Sequence, residues 1–155
     1  MAIKIYGRLS SANVQKINWF CEYANINVIN LNYGGVYGKT QTTEFKDMNP
    51  NSRVPVLDDN NFILYESNAI LRYLSKKFDI LVEEKNEISG KIDQWIDWGS
   101  FTFASPCSLL TAHKLSLPQD QRDEFVADKA KNDIFSLLNI LNIHLAKQDF
   151  IVDEK

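Results

Sequence analysis

The sequence predicts a mixed α/β domain over residues 1–78, a linker over 79–86 and an all-α domain over 87–155. Three observations carry that division. Short apolar runs and one helical stripe fill the first third of the chain. Two apolar runs flank the polar turn Asp58 to Asn61. Beyond residue 79, only the three- and four-residue apolar spacings of helices recur.

Ile3, Ile5 and Tyr6 make a first strand that stops at Gly7, and Val14, Ile17, Cys21 and Ala24 then form one helical stripe. Asn25 ends that helix, and Asn27 to Leu31 reads as a second strand. So compact a strand–helix–strand unit implies a right-handed crossover and parallel pairing. Asn32 to Ser52 holds Gly34, Gly35, Gly38 and Pro50, so it reads as loop with one helical turn near Thr43–Met48. Val54–Leu57 and Phe62–Tyr65 form an antiparallel pair, and Ser67–Phe78 is a helix with Ile70, Leu74 and Phe78 on one face. The order is βαβ, a loop with a helical turn, then ββα.

In the second domain, Ile88, Ile92, Trp95 and Ile96 make one stripe; Val126, Ala130, Phe135, Leu138, Leu141 and Leu145 make another. Pro106 is expected to kink or end the first of these helices. Ser116-Leu117-Pro118-Gln119 fits a capping box that starts the next. Two long helices alone bury their apolar faces poorly, so a partner chain or further helices are expected to cover them. Trp95 and Trp98 are expected to pack between the domains.

A net charge of −3, with Lys and Arg spread mostly singly, gives no nucleic-acid footprint. No apolar run reaches membrane-spanning length, and the chain opens on a strand, so a cytoplasmic protein is expected. Cys21 and Cys107 form no motif, and His113 and His144 lack metal-ligand spacing. No metal is expected.

The chemistry lies in two segments. Val54-Pro55 leads into the hairpin, and Pro55 removes a backbone donor and makes a cis bond accessible. Glu66-Ser67 opens a helix whose free N–H groups attract carboxylates. Together they describe a pocket for a peptide-like small molecule. Opposite the Val54-Pro55 turn stands the loop Gly7-Arg8-Leu9-Ser10-Ser11-Ala12-Asn13. A dithiol redox protein would carry Cys-x-x-Cys there; hydroxyls and an amide stand instead. With no base nearby they are poor nucleophiles, yet they can donate hydrogen bonds to an anion, and a thiolate is the sensible one. Lowering a thiol pKa by about two units needs roughly 2.7 kcal/mol. A hydrogen bond to a charged group contributes about 1.5–3 kcal/mol and a helix dipole about 0.3–1. One serine at a helix end suffices.

Three motifs in register carry a family resemblance: Ser11-x-Asn13-x-x-Lys16-Ile17, Asn49-Pro50-x-x-Arg53-Val54-Pro55-Val56-Leu57, and Tyr65-Glu66-Ser67-Asn68-Ala69-Ile70-Leu71-x-Tyr73-Leu74. With Gly34-Gly35-x-Tyr37-Gly38 and Asp93-Gln94-Trp95-x-Asp97-Trp98, they resemble the glutathione transferase family, in its serine-using bacterial, theta-like and nu-like branch. The resemblance covers nearly the whole chain. It implies a thioredoxin-like first domain that binds glutathione as co-substrate, with no other cofactor. It also implies a small hydrophobic electrophile bound between the domains, a homodimer and a detoxification role.

By position, the resemblance makes Ser11 the residue that hydrogen-bonds the glutathione sulfur, with Asn13 assisting and Ser10 as the rival. Spacing to Asn13 and Lys16 favours Ser11. Val54, beside a cis Pro55, would pair with the cysteinyl backbone, and Glu66 and Ser67 would hold the γ-glutamyl amine and carboxylate. Arg53 or Lys39 would meet the glycyl carboxylate. Phe103 and Cys107 are candidates for the electrophile site. Family members continue with more helices where this chain reaches Asp153-Glu154-Lys155, so the helical domain is expected to be short. Alternative readings are a glutathione-dependent disulfide reductase and a non-catalytic scaffold protein. For Ser11 and Asn13 the plain competitor is a helix cap, and for Cys21 a core position.

Overall fold

The computed structural model describes residues 2–152, and these divide into two compact units between Val82 and Glu83. In the first, strands β1 (Ile3–Tyr6), β2 (Val28–Leu31), β3 (Val56–Asp59) and β4 (Phe62–Tyr65) form one sheet in the order β2-β1-β3-β4. β1 runs parallel to β2, with Ile3 opposite Val28, and antiparallel to β3, with Tyr6 opposite Val56. β3 and β4 are antiparallel, with Val56 opposite Tyr65. Helices α1 (Ala12–Tyr23), α2 (Thr43–Met48) and α3 (Ser67–Phe78) complete a thioredoxin-like fold.

The core follows from two periods meeting. Ile3 and Ile5 alternate on β1, and Val14, Ile17 and Cys21 recur along α1; all pack with Leu57, Ile70 and Leu74. Burying one such aliphatic side chain contributes about 1.5–3 kcal/mol. Cys21 belongs to this core, and burial pushes its thiol up to about 11.

β3 is buried throughout, including Asp58 and Asp59, because it lies inside the sheet. Asp58 accepts from Lys4 Nζ at 3.1 Å and from the Asn61 N–H at 2.9 Å, closing the hairpin turn. β3 starts at Val56 rather than Val54, because Pro55 cannot donate to the ladder; the Val54–Pro55 peptide is cis.

The second unit holds α4 (Asn86–Asp97), α5 (Ala104–Thr111) and α6 (Glu124–Leu145), with π-helical stretches at Trp98–Phe103 and Ala112–Ser116. The chain does not stop at Pro106, which lies buried in the first turn of α5. The proline ring would crowd the carbonyl four residues back, at Thr102, and the wider π turn relieves it there. α6 begins at Glu124 rather than near Leu117. Asp123 is its cap, accepting from the N–H groups of Phe125 at 2.8 Å and Val126 at 3.2 Å. Along α6, Ala127 and Ala130 are buried while Phe135 is 59% and Leu138 40% exposed. Trp95 meets Trp98 and His144, ring centroids at 5.2 and 4.6 Å, all inside the helical unit. No described helix is long and apolar enough to cross a membrane.

Candidate functional site

The carboxyl end of β1 delivers the chain into the loop that starts α1. Gly7 hydrogen-bonds Leu31 O at 2.8 Å, and a methyl group at Gly7 would stand 2.5 Å from Val14 Cγ2. Only glycine lets this loop settle onto the first turn of α1. The Ser11 N–H donates to Arg8 O at 3.1 Å, and the Ser11 carbonyl accepts from Val14 and Gln15, both at 2.9 Å.

Ser11 is therefore the N-cap by backbone, in extended conformation (φ −85°, ψ 122°). Its side chain nevertheless makes no capping hydrogen bond. The hydroxyl is half-buried at a helix N-terminus and unspent on the helix. Ser10 lies one residue outside the helix and is exposed.

α3 begins beside α1. Glu66 precedes it at φ 68°, ψ 111°, a left-handed conformation that a side chain adopts at a cost of about 1–3 kcal/mol. Ser67 is buried, and its Oγ donates to Asn13 Oδ1 at 3.3 Å. About one turn further along α1, Lys16 Nζ donates to the Oδ1 of Asn68, the residue after Ser67. Burial lowers the Lys16 pKa, the Glu66 carboxylate opposes that, and Arg72 adds to the lowering. Two rungs thus join the first turns of α1 and α3. Asn13 is tied to Ser67, the residue expected at the glutamyl end.

The third wall is the cis Val54–Pro55 turn. Methyl groups at Gly7 or Gly34 would each stand 3.4 Å from Val54, so its side chain spans both loops. Buried Asn49 shapes the approach: its Nδ2 donates to Arg53 O at 2.8 Å and its Oδ1 accepts from the Asn51 N–H at 3.0 Å. Arg53 itself is exposed. Lys39 is also exposed, with Nζ 5.3 Å from the Tyr33 ring centre; Tyr33 stacks in turn on buried Phe45 at 5.3 Å.

In the helical unit, Phe103 stacks on Trp98 at 5.6 Å and Cys107 is half-buried. A cavity of about 410 Å³ there is lined by Phe101, Thr102, Ser105, Pro106, Asp133, Ser136 and Leu137, which brings in neither Phe103 nor Cys107. Among the described residues, no group of three or more His, Cys, Asp or Glu could hold a metal ion.

Residues 1–76 match the model of the glutathione S-transferase N-terminal domain. The chain superposes on the crystal structure of a theta class glutathione S-transferase from Xanthomonas axonopodis pv. citri with glutathione bound. The TM-score is 0.90 and the identity 33%, over 97% of this chain and 73% of that one. The chain belongs to the glutathione transferase family.

It is 29% identical to glutathione S-transferase GstB of Escherichia coli K12 over 149 residues, 94% of this transferase and 72% of GstB. A 107-residue segment, 68% of the chain, is 31% identical to elongation factor 1-gamma of Danio rerio, of which it covers 23%. In this transferase, sequence reasoning passed over the structural work of Asn49 and Lys16, although both stand inside the quoted motifs. An Asn immediately before Pro50 was a usable signal for a side chain that organises a loop. Arg8 gave no comparable signal.

Proposed function

We propose that the first unit binds glutathione and that Ser11 holds its thiol as thiolate for attack on a soft electrophile. The unspent Ser11 hydroxyl, at the mouth of a helix braced to the start of α3, carries the reading. A hydroxyl already committed to capping would lose that bond on turning to a sulfur anion; this one loses nothing. Glu66 and Ser67 then take the γ-glutamyl amine and carboxylate at the start of α3, and the Val54 backbone pairs with the cysteinyl unit. Arg53 or Lys39 meets the glycyl carboxylate.

In the reaction a sulfur–carbon bond forms and the bond from carbon to the leaving group breaks. The leaving group departs with the bonding pair, and the thiol proton goes to solvent when the thiolate forms. No cofactor besides glutathione enters. The working unit in this reading is a cytoplasmic homodimer.

Retention on immobilised glutathione with elution by free glutathione tests the binding. Conjugation of an aryl halide, run beside reduction of a glutathione mixed disulfide, then tests the chemistry. Conjugation is the expected activity. Disulfide reduction alone would move the assignment to the reductase reading. Retention with neither reaction would favour a binding module, a reading that the likeness to elongation factor 1-gamma keeps in play.

A further inference from the structure

Arg8 has no part in the site as assembled so far. It stands three residues before Ser11 on the same loop, half-buried, with its side chain against Gly34 and Gly35 of the loop after β2. A methyl group at Gly35 would come 2.8 Å from Arg8 Cδ and 3.1 Å from Nε. One at Gly34 would come 3.5 Å from Nη1 and 3.4 Å from Val54 Cγ1. Both glycines also have positive φ, 77° and 56°. The absent side chains leave a shelf for the guanidinium, bordered by Val54.

Among the described residues, the Arg8 side chain has neither a hydrogen-bond partner nor an ion pair. A guanidinium carries five donors in a planar fork suited to a carboxylate. Half-buried and unmatched among the described residues, the fork has donors left for an anion. In the proposed site the sulfur anion already has Ser11, and the glutamyl carboxylate has the start of α3. Two carboxylates are left for it: one carried by the electrophile, and that of glutathione's glycine, for which Arg8 would compete with the exposed Arg53 and Lys39.

We propose that Arg8, seated on the Gly34-Gly35 shelf, is the residue that binds a carboxylate at the reacting end of this site. The inference rests on the glutathione site proposed above. Supplied by the electrophile, that carboxylate would make the preferred substrates small organic acids with a leaving group. Supplied by glycine, it would make Arg8 part of glutathione recognition.

Calorimetry on the full chain separates the sources without needing turnover. Four ligands are titrated: S-methylglutathione, its glycyl ethyl ester, S-carboxymethylglutathione and S-carbamoylmethylglutathione. Arg8→Gln removes the charge, and Arg8→Lys keeps a charge without the fork. If the carboxylate comes from the electrophile, Arg8→Gln weakens S-carboxymethylglutathione about 10- to 100-fold and leaves the carbamoylmethyl ligand within about twofold. If it comes from glycine, S-methylglutathione weakens by that factor while its ester does not. In either case Arg8→Lys falls between. Equal losses for all four ligands, or no loss, would overturn the role of Arg8 alone. A wild-type chain that binds none of the four would remove the glutathione site and the inference with it.

Discussion

Replacing Ser11 by alanine separates a thiolate-holding hydroxyl from an ordinary helix cap. A serine N-cap normally contributes about 1 kcal/mol through its side-chain bond to the helix. Here that bond is absent, so Ser11→Ala should change folding stability by less than about 0.5 kcal/mol. The ligand should feel the change instead. A hydrogen bond to a charged acceptor contributes about 1.5–3 kcal/mol, which at 1.36 kcal/mol per unit is about one to two pKa units. The helix dipole, about 0.3–1 kcal/mol, survives in the alanine variant and leaves the bound thiol less than one unit below its free value. Ultraviolet absorbance of the thiolate against pH, in glutathione-saturated protein, reads the first effect; urea unfolding of the free protein reads the second. Ser10→Ala serves as control and should move neither quantity. A stability loss near 1 kcal/mol with an unmoved thiol would mean that Ser11 caps in solution and does no more. Equal shifts from the two serines would break the assignment between them.

Glu66→Gly should relax the left-handed backbone at φ 68° and raise stability by up to about 1 kcal/mol while abolishing retention on immobilised glutathione; Glu66→Ala should abolish retention with no such gain. A glycine variant that still binds would take Glu66 out of the γ-glutamyl site. Asp59 is buried, which alone would raise its pKa, but hydrogen bonds from Lys77, Tyr73 (2.6 Å) and Asn60, with the Lys77 charge, hold it below the ordinary 3.8. A depressed native value means stability that is whole above 3.8 and is lost as pH falls through the native value, because the unfolded chain takes up the proton first. Asp59→Asn should therefore be weaker at neutral pH and show a flatter acid limb in urea midpoints than wild type; parallel acid limbs would contradict this. Thr42→Ala and Asp123→Ala should each cost about 1 kcal/mol in the same urea assay, since both side chains do cap their helices, Thr42 at 3.3 Å to the Phe45 N–H. A cost no larger than that of Ser11→Ala would undo the contrast.

The parts that could be read from sequence were those set by local period and turn chemistry. Ile3–Tyr6, Phe62–Tyr65 and Ser67–Phe78 stand where alternation and the three–four stripe placed them. Where two local signals competed, only tertiary structure decided. Ser116-Leu117-Pro118-Gln119 carries the residues of a capping box, yet Leu117 stays extended. Arg122 donates to Leu115 O and Leu117 O at 3.1 and 2.9 Å, and Asp123 takes the cap, seven residues after Ser116. The π stretches around α5 disturb the stripe by one residue at a time, which a period of 3.6 cannot register. The rungs Ser67–Asn13 and Lys16–Asn68 join residues more than fifty apart in sequence. Their partners were visible as motif members, but not as pairs. The seat of Arg8 is subtler still, because it consists of what two glycines lack.

The helix starts differ in a way that bears on function. α2 and α6 begin on side chains that close their own first turns, Thr42 and Asp123. α1 begins on a serine that could do the same and does not, and α3 follows a residue held in strained backbone. These two unclosed starts are joined to each other by Asn13 and Lys16. A fold selected for stability alone would spend the Ser11 hydroxyl on its helix and put glycine at position 66. Leaving the first N–H groups of two adjacent helices without a side-chain cap is costly unless an anion visits both. A tripeptide with a carboxylate at one end and a thiolate a few ångströms along is such a visitor, and the cross-helix rungs fix the spacing at which it must be met.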